Sequence, residues 1–446
     1  MITYNFTGKR IGVWGAGIVG KSAIKFFQKE NAIIQLLNKE KIEGLDKSIQ
    51  QLEQTPENII ELFENNDYIM PSPGIPLHDY TKYYHKIVTE VDILEDRYTK
   101  PIITITGTAG KTTITHLLQK IFNLHKPTIA AGNIGYPMLN LLTKDHGEEL
   151  AIIELSSFQL QHAQQFAPNF AIITNFFANH LDYHKSKEEY KYAKINIFIH
   201  QKPGQQRLLP DTFLPRKTEV ESDFFTFGEK TEEKATCPTY YTEDNKIIFN
   251  NGLKKSELCN MDKLPTYTFP ENWLIIIATL HLHKIAIDDT LCEKIKTFTL
   301  PDHRLAPICT INGSTFYNDS KSTIWQSTAQ EIDQVQKPIS LFLGGLSKNI
   351  DRTPLIEKIK ETKDIAVFAF GKEAEEIKKQ CVTQNIPVFS ATTLEESFEQ
   401  CVQSITKPQS ILFSPGGSSF DLFKNFEERG KAFEKLARNY QEKGNS

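Results

Sequence analysis

The sequence predicts an α/β protein of three domains, each with a largely parallel sheet flanked by helices. Three observations carry that reading. The chain has 446 residues, and at roughly 100–200 residues per domain that suggests about three domains. Segments 1–98, 99–300 and 301–446 each open with a short apolar strand, then alternate strand-like and helix-like stretches. In the first two, a glycine-containing turn joins the opening strand to a helix.

The first segment opens with a strand at Arg10–Trp14, the loop Gly15-Ala16-Gly17-Ile18-Val19-Gly20, and a helix reaching Glu30. A second strand, Ile33–Leu37, ends at Asn38, and a third, Tyr68–Met70, ends in Pro71-Ser72-Pro73-Gly74-Ile75-Pro76. That Pro/Gly cluster is a rigid turn. The second segment opens with Pro101–Ile105, β-branched and running into Thr106-Gly107-Thr108-Ala109-Gly110-Lys111-Thr112-Thr113. Further strands are expected at Ala151–Leu155 and Ala171–Asn175, a polar hairpin-like stretch at 201–263 with Lys246–Phe249 as one arm, and an apolar helix from Trp273. The third segment has strands at Ser340–Leu343, Ala366–Phe370 and Ser410–Phe413, and its last twenty residues read as a charged amphipathic helix.

Composition narrows the function classes. Hydrophobic residues make 39% of the chain, enough for more than one core, and charged residues 24%, which argues against wholesale disorder. A net charge of −4 excludes a broad nucleic-acid or membrane-surface footprint but not a local basic pocket. The six cysteines contain no Cys-x-x-Cys pair and read as ordinary thiols. No signal-like leader and no run of bilayer length is visible, so the expected location is the cytoplasm.

The loop after Ile105 carries the chemistry. Glycines let the backbone turn tightly and aim N–H groups at an anion, and the following helix N-terminus adds positive potential. Lys111 can reach nucleotide phosphates and the Thr112 hydroxyl can ligate Mg²⁺. The general G-x-x-x-x-G-K pattern needs glycine where Ile105 stands, so the match is to a shortened form. The Gly15–Gly20 loop suits a nucleotide diphosphate, but the acidic residue that would read an adenosine ribose is replaced by Asn38. A merely structural turn is the alternative there.

The shortened loop Gly107-Thr108-Ala109-Gly110-Lys111-Thr112-Thr113 resembles that of the Mur ligase and folylpolyglutamate synthetase superfamily. Other matches follow in order over nearly the whole chain. They are Gly132-Asn133-Ile134-Gly135, Glu154-Leu155-Ser156-Ser157-Phe158-Gln159-Leu160, Asn179-His180-Leu181-Asp182, Asp302-His303-Arg304, Asn318-Asp319-Ser320-Lys321-Ser322-Thr323, and Leu343-Gly344-Gly345 with Lys348. The last block, Ser414-Pro415-Gly416-Gly417-Ser418-Ser419-Phe420-Asp421 and Phe423–Gly430, is similar to the D-glutamate-adding branch, as are Glu154–Leu160 and Ser72–Ile75.

The resemblance implies a Rossmann-like N-terminal domain for a UDP-linked substrate, a P-loop ATPase-like central domain and a Rossmann-like C-terminal domain that closes over the site. It implies ATP-dependent amide ligation through an acyl phosphate, with ATP, two Mg²⁺ ions, UDP-N-acetylmuramoyl-L-alanine and D-glutamate as ligands of a monomer. Lys111, His180, Lys194 and Lys321 are the implied catalytic residues. Gly107–Thr113, Asn272, Arg304 and Asp319 would bind ATP. Gly15, Ala16, Gly17, Ile18, Val19, Ser72, Pro73, Gly74, Asn133, Ser157 and Gln159 would bind the UDP substrate. Thr323, Lys348, Ser419, Phe420 and Phe426 would bind D-glutamate, although core packing suits the two phenylalanines nearly as well. Thr112, Glu154, His180 and Lys194, the last as a CO₂ carbamate, would hold metal.

By itself Lys194 is an ordinary helix-surface lysine, Lys191 competes for its role, and Glu154 could be an exposed strand-end carboxylate. Two positions depart from the family: Ala109 stands where its loop has asparagine, and Ile275 where its central helix start has a second one after Asn272. Three other readings remain open: a ligase for another amino acid or for folate, an NAD(P)-dependent oxidoreductase built on the first loop, and a nucleotide-binding relative without activity.

Overall fold

A computed structural model describes residues 2–177, 183–213, 220–228, 237–266, 268–300, 305–347 and 350–444. Three sheets lie among them, one in each expected segment.

The first sheet contains β1 (Arg10–Trp14), β2 (Ile33–Asn38), β3 (Gln50–Glu53) and β4 (Tyr68–Pro71), in the order β3-β2-β1-β4 and parallel throughout. The helix Ile18–Lys29 returns the chain from β1 to β2, and its Ala23 and Phe27 pack against Val13 and Leu36. Neighbours β2 and β4 flank β1 on opposite sides, so a crevice opens beyond its C-terminal end.

The second sheet is the largest. Its strands are β5 (Ile102–Thr106), β6 (Thr128–Gly132), β7 (Leu150–Glu154), β8 (Phe170–Ile173), β9 (Gln206–Pro210), β10 (Asp223–Gly228), β11 (Thr239–Glu243), β12 (Lys246–Asn250) and β13 (Lys255–Asn260). They lie in the order β13-β12-β11-β10-β9-β8-β5-β7-β6. Neighbours from β6 to β11 are parallel; β12 and β13 close the far edge as antiparallel arms. Every residue of β5 and β7 is buried. Such continuous apolar runs are what parallel strands covered on both faces require.

The third sheet contains β14 (Ala306–Ile311), β15 (Ser314–Asn318), β16 (Ile339–Gly344), β17 (Ile365–Phe370), β18 (Val388–Ala391) and β19 (Ser410–Phe413). Its order is β14-β15-β19-β16-β17-β18, and only the β14–β15 pair is antiparallel. One face is filled by stacked aromatics, with Phe413 and Phe433 ring centroids 4.2 Å apart. The amphipathic C-terminal helix is present as Phe426–Gly444.

The chain divides into two compact units. The first holds the first two sheets and runs in its main part to Phe298; the second holds the third sheet, from Thr299 on. Among the described residues no helix is long and apolar enough to cross a membrane.

Most strand boundaries fall within a residue of the sequence reading, and two larger differences have physical reasons. The strand expected at Ala171–Asn175 is Phe170–Ile173, because Thr174 and Asn175 spend their side chains on the neighbouring loop. The helix expected from Trp273 begins at Pro270, where a missing N–H costs nothing in a first turn. Asn272 therefore sits inside the helix rather than before it.

Candidate active site

The shortened phosphate loop leaves β5 at Thr106 and enters the helix Lys111–Phe122. Gly107 has φ +148°, and a Cβ there would collide with the Thr174 hydroxyl. Gly110 caps the helix at φ +81°, and a Cβ there would stand 2.7 Å from Asn272 Oδ1. Both positions demand glycine on steric grounds.

The residues between them are held from β8. Asn175 Oδ1 accepts from the N–H groups of Thr108 at 3.1 Å and Ala109 at 2.8 Å. The Thr174 hydroxyl donates to Ala109 O at 2.6 Å, and Asn175 Nδ2 to the same oxygen at 3.2 Å. The loop shape thus rests on backbone atoms at Ala109. The N–H groups of the following helical turn, which have no intrahelical partner, form the mouth of an anion site.

Two lysines converge on this loop. Lys111 Nζ donates to Gly107 O and Thr108 O, both at 2.9 Å. Lys194 Nζ donates to Gly107 O at 2.8 Å. Lys194 is not on the helix surface: it is fully buried, 4.5 Å over the Tyr190 ring. Burial, and then the charge of Lys111, push its pKa well below the usual lysine value. Lys191 instead lies 4.9 Å over the ring of Phe213. Tyr190 reaches Thr108 Oγ1 at 3.2 Å, and burial raises its hydroxyl pKa.

Glu154 is the last residue of β7 and is 1% exposed. Oε1 accepts from Asn133 Nδ2 at 3.1 Å, while Oε2 is buried with no hydrogen-bond partner. A buried carboxylate oxygen left this way is costly unless a cation meets it. The Glu154 carboxylate and the Thr112 hydroxyl, in the first turn of the helix Lys111–Phe122, are both oxygen donors of the kind a hard divalent ion takes. Asn133, expected at the substrate, is engaged with Glu154.

In the first sheet, Gly15 has φ +94°, and a Cβ would sit 2.5 Å from Ser72 Oγ. The Ser72 hydroxyl donates to Gly15 O at 3.4 Å, so the Ser72–Gly74 turn and the glycine loop are brought together. Asn38 Oδ1 accepts from Ala16 N at 3.1 Å, and its Nδ2 donates to Glu40 O at 2.8 Å. This replacement for an acidic residue is a tie that fixes the loop. Gly17 caps the helix Ile18–Lys29, and Ile18 is 67% exposed at its start. Ser157 and Gln159 are buried in a helical turn whose capping box pairs Ser156 with Gln159.

The second unit holds its own cluster. Asp319 is buried; its Oδ2 accepts from the Ser414 hydroxyl at 2.7 Å. Lys321 Nζ lies 5.2 Å from the centre of the half-buried Phe426 ring. Ser419 is buried and Thr323 half-buried. Phe420 is 69% exposed, which removes core packing as its explanation. His180, Arg304 and Lys348 lie outside the described residues.

Sequence reasoning missed Thr174, Asn175 and Tyr190. A polar pair at the C-terminal end of a strand beside a phosphate loop was the available signal for the first two.

Residues 105–276 match the family model described as the Mur ligase middle domain. A UDP-N-acetylmuramoylalanine–D-glutamate ligase of Staphylococcus haemolyticus is 32% identical over 455 residues, spanning 96% of this chain and 97% of that one. The ligase of the same name from Caldanaerobacter subterraneus subsp. tengcongensis is 30% identical over 452 residues, covering 96% and 97%. Among solved structures, MurF from Acinetobacter baumannii matches with a TM-score of 0.60 at 16% identity, over 99% of this chain and 93% of that one. MurC from Thermotoga maritima matches with a TM-score of 0.59 at 15% identity, over 98% and 100%. The loop and the three-sheet fold are those of the Mur ligases. The chain belongs to that family, in the group of UDP-N-acetylmuramoylalanine–D-glutamate ligases.

Proposed function

We propose that the chain joins D-glutamate to UDP-N-acetylmuramoyl-L-alanine at the expense of ATP, as a cytoplasmic monomer in peptidoglycan precursor synthesis. The observation that carries this reading is the convergence of Lys111 and the buried Lys194 on one oxygen of the phosphate loop. A protein that only held a nucleotide would have no use for a second lysine kept in a disfavoured charge state.

The reaction needs a leaving group better than oxide. A carboxylate oxygen of the muramoyl-alanine attacks the γ-phosphorus of ATP, and ADP leaves. The D-glutamate nitrogen then attacks the acyl phosphate carbon, phosphate leaves, and the amine gives up a proton. The first step brings anion to anion, so positive charge must be in place beforehand. Lys111 and Lys321 supply it. The first-turn N–H groups of the helix Ile18–Lys29 hold the UDP diphosphate, with Ser72–Gly74 beside them.

Thr112 and Glu154 would hold one magnesium ion, and His180 with carbamylated Lys194 a second. Bound magnesium would neutralise phosphate charge. A lysine with a depressed pKa exposes the unprotonated amine that CO₂ requires, which supports this role for Lys194. Asn272, Arg304 and Asp319 complete the ATP contacts. Thr323, Lys348, Ser419, Phe420 and Phe426 receive D-glutamate, the aromatic rings keeping water from the acyl phosphate. The domains run 1–98, 99–300 and 301–446, one sheet in each.

The test is phosphate release from ATP with the muramoyl acceptor and a panel of amino acids. Turnover with D-glutamate and none with L-glutamate is expected. Turnover with L-alanine, a diamino acid or a folate acceptor instead would assign a different ligase. Lys111→Ala should abolish the activity, and its persistence would remove the loop from the mechanism.

A further inference from the structure

One buried cation in the second unit has no part in the reading above. Arg429 lies near the start of the helix Phe426–Gly444 and is 0% exposed. Its Nε donates to Ser320 Oγ at 3.0 Å, Nη2 to Ser320 O at 2.7 Å, and Nη1 to Gly417 O at 2.8 Å. The Ser320 hydroxyl in turn donates to Phe426 O at 2.8 Å. All three acceptors are uncharged, and among the described residues no carboxylate stands within ion-pair distance. Asp421 and Asp319 act on the guanidinium only through space, and burial draws its pKa down to about 10.

The surrounding backbone shows what this fork holds. Gly344-Gly345 and Gly416-Gly417 cross in direct contact: a Cβ on Gly417 would collide with Gly344 O, and one on Gly345 with Ser418 O. Leu346 and Ser418 exchange N–H···O bonds at 2.8 and 2.9 Å, and Gly416 N donates to Ser322 O at 3.0 Å. One arginine clamps each side of the crossing. Arg352 Nη2 donates to Gly345 O at 2.8 Å, and its charge is paired with Glu373. Arg429 makes the equivalent clamp to Gly417, with Asp421 and Asp319 acting on it from beyond contact distance. A guanidinium buried without a contact ion pair is expensive, and here its planar fork joins Ser320 to Gly417.

We propose that Arg429 is a positioning residue for capture of the incoming acidic amino acid. Its fork holds the turn bearing Lys321 and Thr323 and the loop bearing Ser419 and Phe420 in one frame. This rests on the D-glutamate reading. At the nucleotide end of the frame, Asp319 has anchors of its own in Phe413 O and the Ser414 hydroxyl.

The test compares wild type with Arg429→Lys, which keeps the charge and breaks the fork, and with Ser320→Ala, which removes one of its acceptors. In each variant KM for D-glutamate should rise, about tenfold or more for Arg429→Lys, with KM for ATP changed less than about twofold. Equal changes in both KM values, or a fall in kcat alone, would overturn the proposal and leave Arg429 as scaffold. Hydrogen exchange decides the positioning role without turnover. The amides of Gly416, Ser418 and Ser322 should lose protection together in Arg429→Lys while β16 and β17 keep theirs; retained protection would refute it. If Arg429→Lys does not fold, Ser320→Ala gives the same two readouts. Absence of any wild-type product with D-glutamate would instead remove the proposed function, with exchange still judging Arg429.

Discussion

Replacing Lys194 by methionine should make the protein more stable and inactive at once. The Nζ atoms of Lys111 and Lys194 bond the same Gly107 oxygen at 2.9 and 2.8 Å, so they lie no more than about 5.7 Å apart. Two unit charges at that separation repel by about 3 kcal/mol at an effective dielectric constant of about 20. Burial acts in the same direction. The ceiling is the roughly 5 kcal/mol needed to neutralise an ordinary lysine at pH 7. Methionine keeps the length of the side chain and forfeits one hydrogen bond, about 1 kcal/mol. The net gain at pH 7 is therefore about 2–4 kcal/mol.

The pH dependence has a definite sign. Between the depressed folded pKa of Lys194 and its ordinary value of 10.5, the unfolded chain binds the extra proton. Wild-type stability should rise with pH through that window, and the variant should lack this contribution. Carbamylation would turn the repulsion from Lys111 into attraction, so bicarbonate should stabilise wild type and leave the variant unmoved. Thermal denaturation from pH 7 to 10 in CO₂-free buffer, repeated with bicarbonate, measures all three effects. A variant that melts below wild type at pH 7 without CO₂, or shows the same pH slope, would refute the reasoning.

Three further outcomes are expected. Burial pushes Glu90 up to about 7 from 4.5; the stability this proton supplies is intact below about pH 4.5 and lost as pH rises through 7. Glu90→Gln should therefore match wild type at pH 4 and exceed it by up to about 3 kcal/mol at pH 8, read by urea denaturation. Asn175→Ala removes the acceptor shared by two loop amides and should weaken ATP about tenfold or more in calorimetric titration, whereas Asn175→Asp, which still accepts both, should lose much less. Gly107→Ala forces a Cβ onto Thr174 and should abolish nucleotide binding; undiminished affinity would mean the loop is not held as described.

Much of the fold was legible because its signals are local. The β-branched run before Gly107 and the aromatic-rich strands of the third sheet carry their own burial pattern. The glycines at 15, 107 and 110 announce turns that no other residue fits. What stayed hidden depends on distant partners. Lys194 looks like a surface lysine on its own helix, and only the placement of that helix beside β5 buries it. Asn38 looked like a lost ribose contact, yet it holds Ala16. Thr174 and Asn175 are a polar pair ending an apolar strand, which marks the position but not its partners: their hydrogen bonds to a loop 65 to 67 positions earlier cannot be read from either segment alone.

That long-range tie orders events during synthesis of the chain. The phosphate loop is translated early, but its curvature is set by side chains that emerge only with β8, and β8 is flanked by β9 on its other side. Until residues near 175 have left the ribosome, the Gly107–Lys111 segment lacks the two groups that shape it. Nucleotide affinity is therefore acquired by the nascent polypeptide only once β8 has emerged, and triphosphate binding reports that the central sheet has been assembled as far as its fourth strand in chain order.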